Sequence, residues 1–159
     1  MSKDDPEGFC LPAGVPRISP FPQKFVQTSN LIVILDEGNI HSYRQIFLDG
    51  RGHPKNMDPL WMGHSTGKWD GDTLVIDTVG LNDKTWINGQ GVPHSDQLHV
   101  IERYRRPDLG HLEAEITIED PKAFTAPHTF KRSYTLLDGE ILEYVCNEFN
   151  VDSEHLVGK

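Results

Sequence analysis

The chain has 159 residues, of which 36% are hydrophobic, and it contains seven Phe, four Tyr and three Trp. This composition indicates one globular domain and argues against a disordered chain. The formal net charge of −9 argues against nucleic acid and anionic membranes as partners, because both are bound through basic surfaces. No apolar run approaches the ~20 residues of a membrane-spanning helix, so membrane insertion is not expected.

The N-terminal segment is rich in proline. Residues 1–24 hold five of the eleven prolines. Proline fixes φ and lacks the N–H that helices and ladders need, so this segment is predicted to be an extended arm lying on the body of the protein, or a trimmed linker. Residues 25–159 are predicted to form a single β-barrel domain. The start of the chain as given lacks the apolar core of a signal peptide.

Four segments have the pattern of β-hairpins, and none has sustained helical periodicity. The predicted hairpins run from Phe25 to Leu48, from Trp61 to Gly80 around Asp70-Gly71, from Leu98 to Ile118, and from His128 to Phe149 around Asp138-Gly139. Eight sequential antiparallel strands must protect their edges, which a closed barrel does fully and a sandwich partly. We therefore predict an all-β, antiparallel, up-and-down barrel of lipocalin-like architecture, with a two-sheet sandwich as the alternative. A barrel of this size can hold one small ligand.

The second hairpin carries the first candidate site. If Asp70-Gly71 is the turn, His64 lies directly opposite Asp77, and the two side chains share one face. The other face carries Trp69, a candidate substrate-binding residue, together with apolar side chains. Its apolar content favours that face as the core, whereas a ligand-holding barrel also accepts polar residues inside. Whether His64 and Asp77 point inward stays open.

The third hairpin places an acidic residue among apolar ones. Its turn sets Arg103 opposite Glu113 on a charged, solvated face. The opposite face carries Glu102 and Tyr104 between aliphatic side chains. A carboxylate there must find a partner or take up a proton. Glu102 is therefore a candidate catalytic residue and Tyr104 a candidate substrate-binding residue, with a charge at the barrel rim as the structural alternative.

The fourth hairpin places Arg132, Tyr134 and Glu143 on one face with aromatic neighbours. This group is either a structural ion pair or the polar lining of a cavity, and its three members are candidate substrate-binding residues.

Eight histidines are many for this length, and histidine is the side chain best suited to proton transfer near neutral pH. His94, at the entry to a strand, is a further catalytic candidate. No metal site is predicted, because a strand puts His99 and Glu102 on opposite faces. No nucleophilic triad or phosphate-binding loop is recognisable, and no cofactor is expected. Cys10 and Cys146 form either one disulfide or two free thiols.

Several segments resemble those of a group of uncharacterised bacterial proteins that are often predicted to be exported. These are Cys10–Arg17 (CLPAGVPR), Tyr43–Arg51 and the stretch from Gly63 to Asp83 that begins GHSTGKWDGDTLVIDT. The resemblance covers nearly the whole chain and implies no particular activity. It implies that the chain is a shortened form of an exported, periplasmic or secreted protein, with the cytoplasm as the alternative.

Together these patterns lead to three functional hypotheses. The first is a cofactor-free enzyme that acts on a small organic molecule in the barrel cavity by acid–base catalysis, as a lyase, isomerase or hydrolase. The alternatives are a non-catalytic carrier or sensor of a small apolar ligand, and an accessory or scaffold subunit. A homo-oligomer is left open.

Overall fold

A computed structural model of the chain describes residues 4–17, 21–38 and 43–146. Within these ranges the chain forms eight strands: β1 Gln23–Gln27, β2 Leu31–Asp36, β3 Tyr43–Phe47, β4 His64–Asp70, β5 Thr73–Val79, β6 His99–Arg105, β7 His111–Glu119 and β8 His128–Thr135. The one helix in the described residues is a short 3₁₀ turn, Pro6–Phe9. No helix in these ranges is long and apolar enough to cross a bilayer.

All eight strands belong to a single sheet in which spatial order follows chain order. The sheet curls into a half-barrel, and in the described ranges no ladder joins β8 back to β1. The prediction of an eight-stranded, all-β fold is confirmed. One neighbouring pair differs from an up-and-down meander, because β3 and β4 are parallel, with Ile46 beside Ser65 and Phe47 beside Thr66. A parallel pair requires a long return connection, which residues 48–63 provide.

The second and third hairpins form with registers shifted by two residues from the prediction. The β4–β5 turn is Gly71-Asp72 rather than Asp70-Gly71, and Gly71 takes the positive φ of 64° that this turn requires. His64 therefore lies opposite Val79, and Asp77 lies opposite Thr66. The predicted direct pairing of His64 with Asp77 was wrong. Since side chains alternate with a period of two, the shift leaves both residues on the same face.

The third hairpin shows the same shift. Arg103 lies opposite Glu115 rather than Glu113, and Arg105 lies opposite Glu113. The charged face and the apolar face are nevertheless those expected, because a two-residue shift preserves them.

The first and fourth hairpins differ more from the prediction. Residues 23–47 contain three strands instead of two. In the last region β8 pairs with β7, and residues 136–146 form no strand. The predicted hairpin between 128–137 and 140–149 was therefore wrong over its described part, and residues 147–149 lie outside the described ranges. β8 pairs with β7 along its whole length, and among the described residues no strand follows the Asp138-Gly139 turn to pair with its other edge.

The core is built from the inward-facing side chains, which alternate with outward-facing ones along each strand. Its buried aliphatic residues include Ile34 of β2, Ile46 of β3, Ile76 of β5, Val100 of β6 and Ile116 of β7. Gly67 in β4 lies against this core, because a Cβ there would stand 2.8 Å from Ile46 and from Leu48. Isoleucine and valine suit such pleated, buried surfaces.

The N-terminal arm packs on the sheet, which is the first of the two alternatives that the sequence left open. Ala13 and Val15 are buried, and Arg132 of β8 donates from Nη1 to the Pro16 carbonyl at 2.7 Å. Cys10 and Cys146 form a disulfide, which decides the alternative that the sequence left open. The bond fixes the arm to the segment that follows β8.

We expect replacement of both Cys10 and Cys146 by Ser to lower the free energy of unfolding by about 2–4 kcal/mol. The bond joins residues 136 positions apart, so its loss frees a large loop in the unfolded chain. Urea unfolding of the wild type with and without reductant would measure the effect, with the double variant as the control that reductant leaves unchanged. Equal midpoints for wild type and variant would contradict this expectation.

Candidate functional site

The faces of β4 and β5 divide their polar residues into two groups. Ser65 and Thr78 point into the half-barrel and are 1% and 0% exposed. His64 and Asp77 lie on the outer face, where Asp77 has a side chain 46% exposed. The question of which face points inward is thus settled in favour of the one with higher apolar content.

On the outer face, His53 of the 48–63 connection joins His64 to Asp77. Its Nδ1 lies 2.8 Å from Nδ1 of His64, and its Nε2 lies 3.1 Å from Oδ1 of Asp77. Thr66 also lies beside it, with Oγ1 at 3.5 Å from Nε2. The two residues predicted to act together are therefore connected, through a third that the prediction did not contain.

A third histidine reaches the same carboxylate from β6. Nε2 of His99 lies 3.0 Å from Oδ1 of Asp77, and its Nδ1 lies 3.5 Å from Oε2 of Glu119 on β7. Together these contacts give one continuous chain of titratable side chains. We call it the histidine cluster, and its members in order are His64, His53, Asp77, His99 and Glu119.

Hydrogen-bonding chemistry fixes the tautomers along this chain. The Asp77 carboxylate only accepts, so His53 and His99 both donate to it from Nε2. Neutral His53 then accepts at Nδ1, which requires His64 to donate from its own Nδ1. The lone pair of His64 is left on Nε2, for which the described residues offer no hydrogen-bond partner. The chain thus ends in a basic nitrogen.

The surroundings of His64 favour its neutral form. Burial lowers the pKa of the His64 imidazole below its usual 6.5, and repulsion from His53 whenever that ring is protonated, and from Arg51, lowers it further. The ring stacks on Phe47 with centroids 5.3 Å apart, and the Arg51 guanidinium lies over the same Phe47 ring. His64 is therefore available as a base at neutral pH.

The inner face holds a second polar group, which we call the buried network. Arg44 of β3 donates to Ser65 Oγ at 3.1 Å, to Thr78 Oγ1 at 2.7 Å and, in a close ion pair, to Glu102. Burial opposes the charge of Arg44, but the Glu102 carboxylate holds the Arg44 pKa above its ordinary value. The expectation that a buried Glu102 needs a partner is confirmed, and Arg44 is that partner.

Two tyrosines extend the buried network. Tyr104 donates to Oε1 of Glu102 at 3.2 Å, and its ring stacks on Tyr134. Burial raises the pKa of Tyr104 well above its ordinary value, and burial also raises the pKa of Tyr134. The space left beside Glu102 is only about 30 Å³, which has room for a few water molecules. An organic substrate does not fit there.

The remaining candidate residues lie apart from one another. His94 is buried, donates from Nδ1 to the Ser95 carbonyl at 2.9 Å and accepts at Nε2 from Thr85 at 2.7 Å. Trp69 is half exposed at the end of β4. Glu143 is exposed beyond β8, and no bond among the described contacts links it to Arg132, which binds the arm.

The prediction missed His53, Arg44 and the contribution of His99 to the outer face. His53 stands in a long connection of the kind that often lines sites, which was the available signal. His99 and Glu102 do lie on opposite faces, as the strand period predicted. Within the described ranges, no group of three or more His, Cys, Asp or Glu side chains is arranged to hold a metal ion.

Comparisons with known proteins add no assignment to this geometry. No protein-family model, curated protein or solved structure matches the chain. The chemistry of the histidine cluster is therefore inferred from its own distances, burial and tautomers.

We expect His64 to titrate below pH 6.5 in the folded protein, and His53→Gln to move its midpoint up toward 6.5. The variant removes the repulsion that a protonated His53 exerts on a protonated His64, while burial remains. Because the unfolded chain binds the proton more readily, the contribution of neutral His64 to stability is present above pH 6.5. It is lost as the pH falls through the folded pKa.

Histidine ring resonances followed by NMR against pH would measure both midpoints. His111→Gln is the matched control, since His111 is exposed on β7 and pairs with Asp108. A His64 midpoint at or above 6.5, or no upward movement in His53→Gln, would show that the described environment does not act as stated.

We expect Arg44→Met to lower the free energy of unfolding by about 3–5 kcal/mol, because it leaves Glu102 charged, buried and unpaired. The double variant Arg44→Met/Glu102→Gln should lose less, since no uncompensated charge remains. Urea unfolding measures both. Arg103→Met is the control, because its pair with Asp70 is solvent-exposed and contributes about 1 kcal/mol at most. Additive losses in the double variant would contradict the pairing.

Proposed function

We propose that this protein is an enzyme that transfers protons during the conversion of a small organic molecule at the histidine cluster. The observation that supports this most is the continuous chain from His64 to Glu119, which ends in a free imidazole nitrogen. Its members come from a loop and four strands. Paired titratable groups in unlike surroundings are typical of acid–base sites.

Stability alone does not account for such a cluster. The side chains of His53, Asp77, His99 and Glu119 are 25–46% exposed. Ion pairs in contact with water contribute little to folding. Two imidazoles, His53 and His99, converge on the Asp77 carboxylate, and a third, His64, is attached through His53. This arrangement favours a chemical role. In this proposal Asp77, His53 and His99 are positioning residues.

The proposed reaction takes place on the outer face rather than inside the barrel. The interior beside Glu102 has room only for water, whereas His64 is reached from solvent beside Phe47 and Arg51. A substrate with an acidic C–H group next to a carbonyl suits an imidazole base. The proposed site therefore differs from the sequence-based hypothesis in its location, which is the outer face instead of the barrel cavity. The proposed acid–base chemistry is the same.

His64 acts as the catalytic base in this proposal. Its Nε2 takes the substrate proton, and the electron pair of the broken C–H bond passes into the substrate. The imidazolium formed at His64 keeps its Nδ1–H bond to His53, whose Nε2–H is held by Asp77. The same imidazolium returns the proton at another carbon in an isomerisation, or gives it to a leaving group in an elimination.

The probe 5-nitrobenzisoxazole tests this directly, since removal of its C3 proton breaks the N–O bond and releases a coloured phenolate. We expect His64→Ala to reduce the protein-catalysed rate by about 10²-fold or more. The rate of the wild type should rise with pH through a midpoint below 6.5, because the neutral form of His64 is the base. His53→Gln should lower the rate and move this midpoint upward.

His111→Ala is the control, because His111 is an exposed histidine outside the cluster. Asp77→Asn distinguishes a positioning role from a structural one if it reduces the rate while the unfolding midpoint stays unchanged. The proposal fails if His64→Ala keeps the wild-type rate, or if His111→Ala loses as much.

A further inference from the structure

The open side of the half-barrel contains a second cavity, which we call the seam cavity. It has a volume of about 680 Å³ and lies between β1 and the β7–β8 edge of the sheet. Its apolar lining includes Phe21, Phe25, Leu112, Leu136 and Ile141. Cavities that hold small organic ligands measure about 300–1,000 Å³, so this one has the required size.

The charges around the seam cavity are opposite to those of the protein as a whole. The chain has a net charge of −9, yet the lining contains Lys24 and Arg106 against a single acidic residue, Glu140. Arg106 is held in place because its Nη2 donates to the Leu109 carbonyl at 2.6 Å. His111 also lines the cavity, but it pairs with Asp108, whose carboxylate compensates a positive charge on the ring.

The wall of the seam cavity also contains a buried hydroxyl. Tyr134 lines the cavity, and its Oη is buried without a hydrogen bond of standard geometry to any described residue. Arg132 and Tyr104 are the polar side chains that approach this oxygen, and both act on its pKa through hydrogen bonding. Binding of a ligand therefore depends on the cations and the apolar walls.

We propose that the seam cavity binds an amphipathic organic carboxylate with a medium or long hydrocarbon chain. The hydrocarbon part of the ligand would pack on Phe21, Phe25 and Leu136. Its carboxylate would lie against Lys24 and Arg106. Apolar walls with a few placed polar groups are the usual composition of such sites. This binding site is separate from the histidine cluster and does not depend on the proposed proton transfer.

Isothermal titration calorimetry with dodecanoate below its micelle concentration tests the proposal, with dodecanol as the uncharged ligand of equal length. We expect one dodecanoate per protein, and dodecanol binding about tenfold or more weaker, because it lacks the charge-assisted hydrogen bonds. The variant Lys24→Gln/Arg106→Gln should weaken dodecanoate by a similar factor and leave dodecanol unchanged. Leu136→Glu, at a position 66% exposed, should weaken both ligands.

Lys131→Gln is the matched control, because Lys131 is an exposed cation of β8 that pairs with Glu115. Circular dichroism shows whether each variant is folded, and His64-dependent proton transfer should be the same in all of them. The proposal is overturned if neither ligand binds, if dodecanol binds as well as dodecanoate, or if Lys131→Gln acts like the double variant. Binding to phosphatidylglycerol vesicles without binding of free dodecanoate would also overturn it.

Discussion

Alternate side chains of a strand point to opposite faces of a sheet, and most of this molecule depends on that constraint. In β4, β5 and β6 it directs Ser65, Thr78 and Glu102 inward and their immediate neighbours outward. The inner side chains meet Arg44 and become a buried network. On the outer face, His64 and Asp77 contact His53, and His99 of β6 contacts Asp77. Two polar groups with opposite environments thus share the same three strands.

The two groups differ in their chemistry because their environments differ. Inside, desolvation makes an unpaired charge costly, and Arg44 and Glu102 are bonded to one another and to three hydroxyl groups. Outside, water screens each contact, and the pairs stabilise the fold little. A partly hydrated imidazole can exchange protons with a ligand, which a closed ion pair cannot. This contrast is why the outer group, and not the more deeply buried one, suits acid–base chemistry.

The strand pattern predicted more of the fold than of the site. Hairpin registers came out two residues off at Asp70-Gly71 and at the β6–β7 turn. At the first of these, Gly71 with its positive φ takes the first turn position and not the second, a choice that the dipeptide alone does not reveal. The period of two made these errors harmless, and Glu102 was correctly placed among apolar residues. Arg44 was missed because its partner is 58 residues away and no local pattern connects them. The strand predicted over 140–149 does not form over residues 140–146, because a turn signal such as Asp138-Gly139 does not by itself require a strand to follow it.

The main departure from a simple meander is also what builds the histidine cluster. Had β3 and β4 been antiparallel, a short turn would have joined them, and no chain would cross the outer face. Because they are parallel, the chain must return along the sheet before β4 begins, and residues 48–63 make that return. His53 lies within this return and reaches over β4 and β5, where it bonds to His64 and Asp77. The one topological feature that strand alternation does not predict therefore supplies the one residue that joins the two predicted partners.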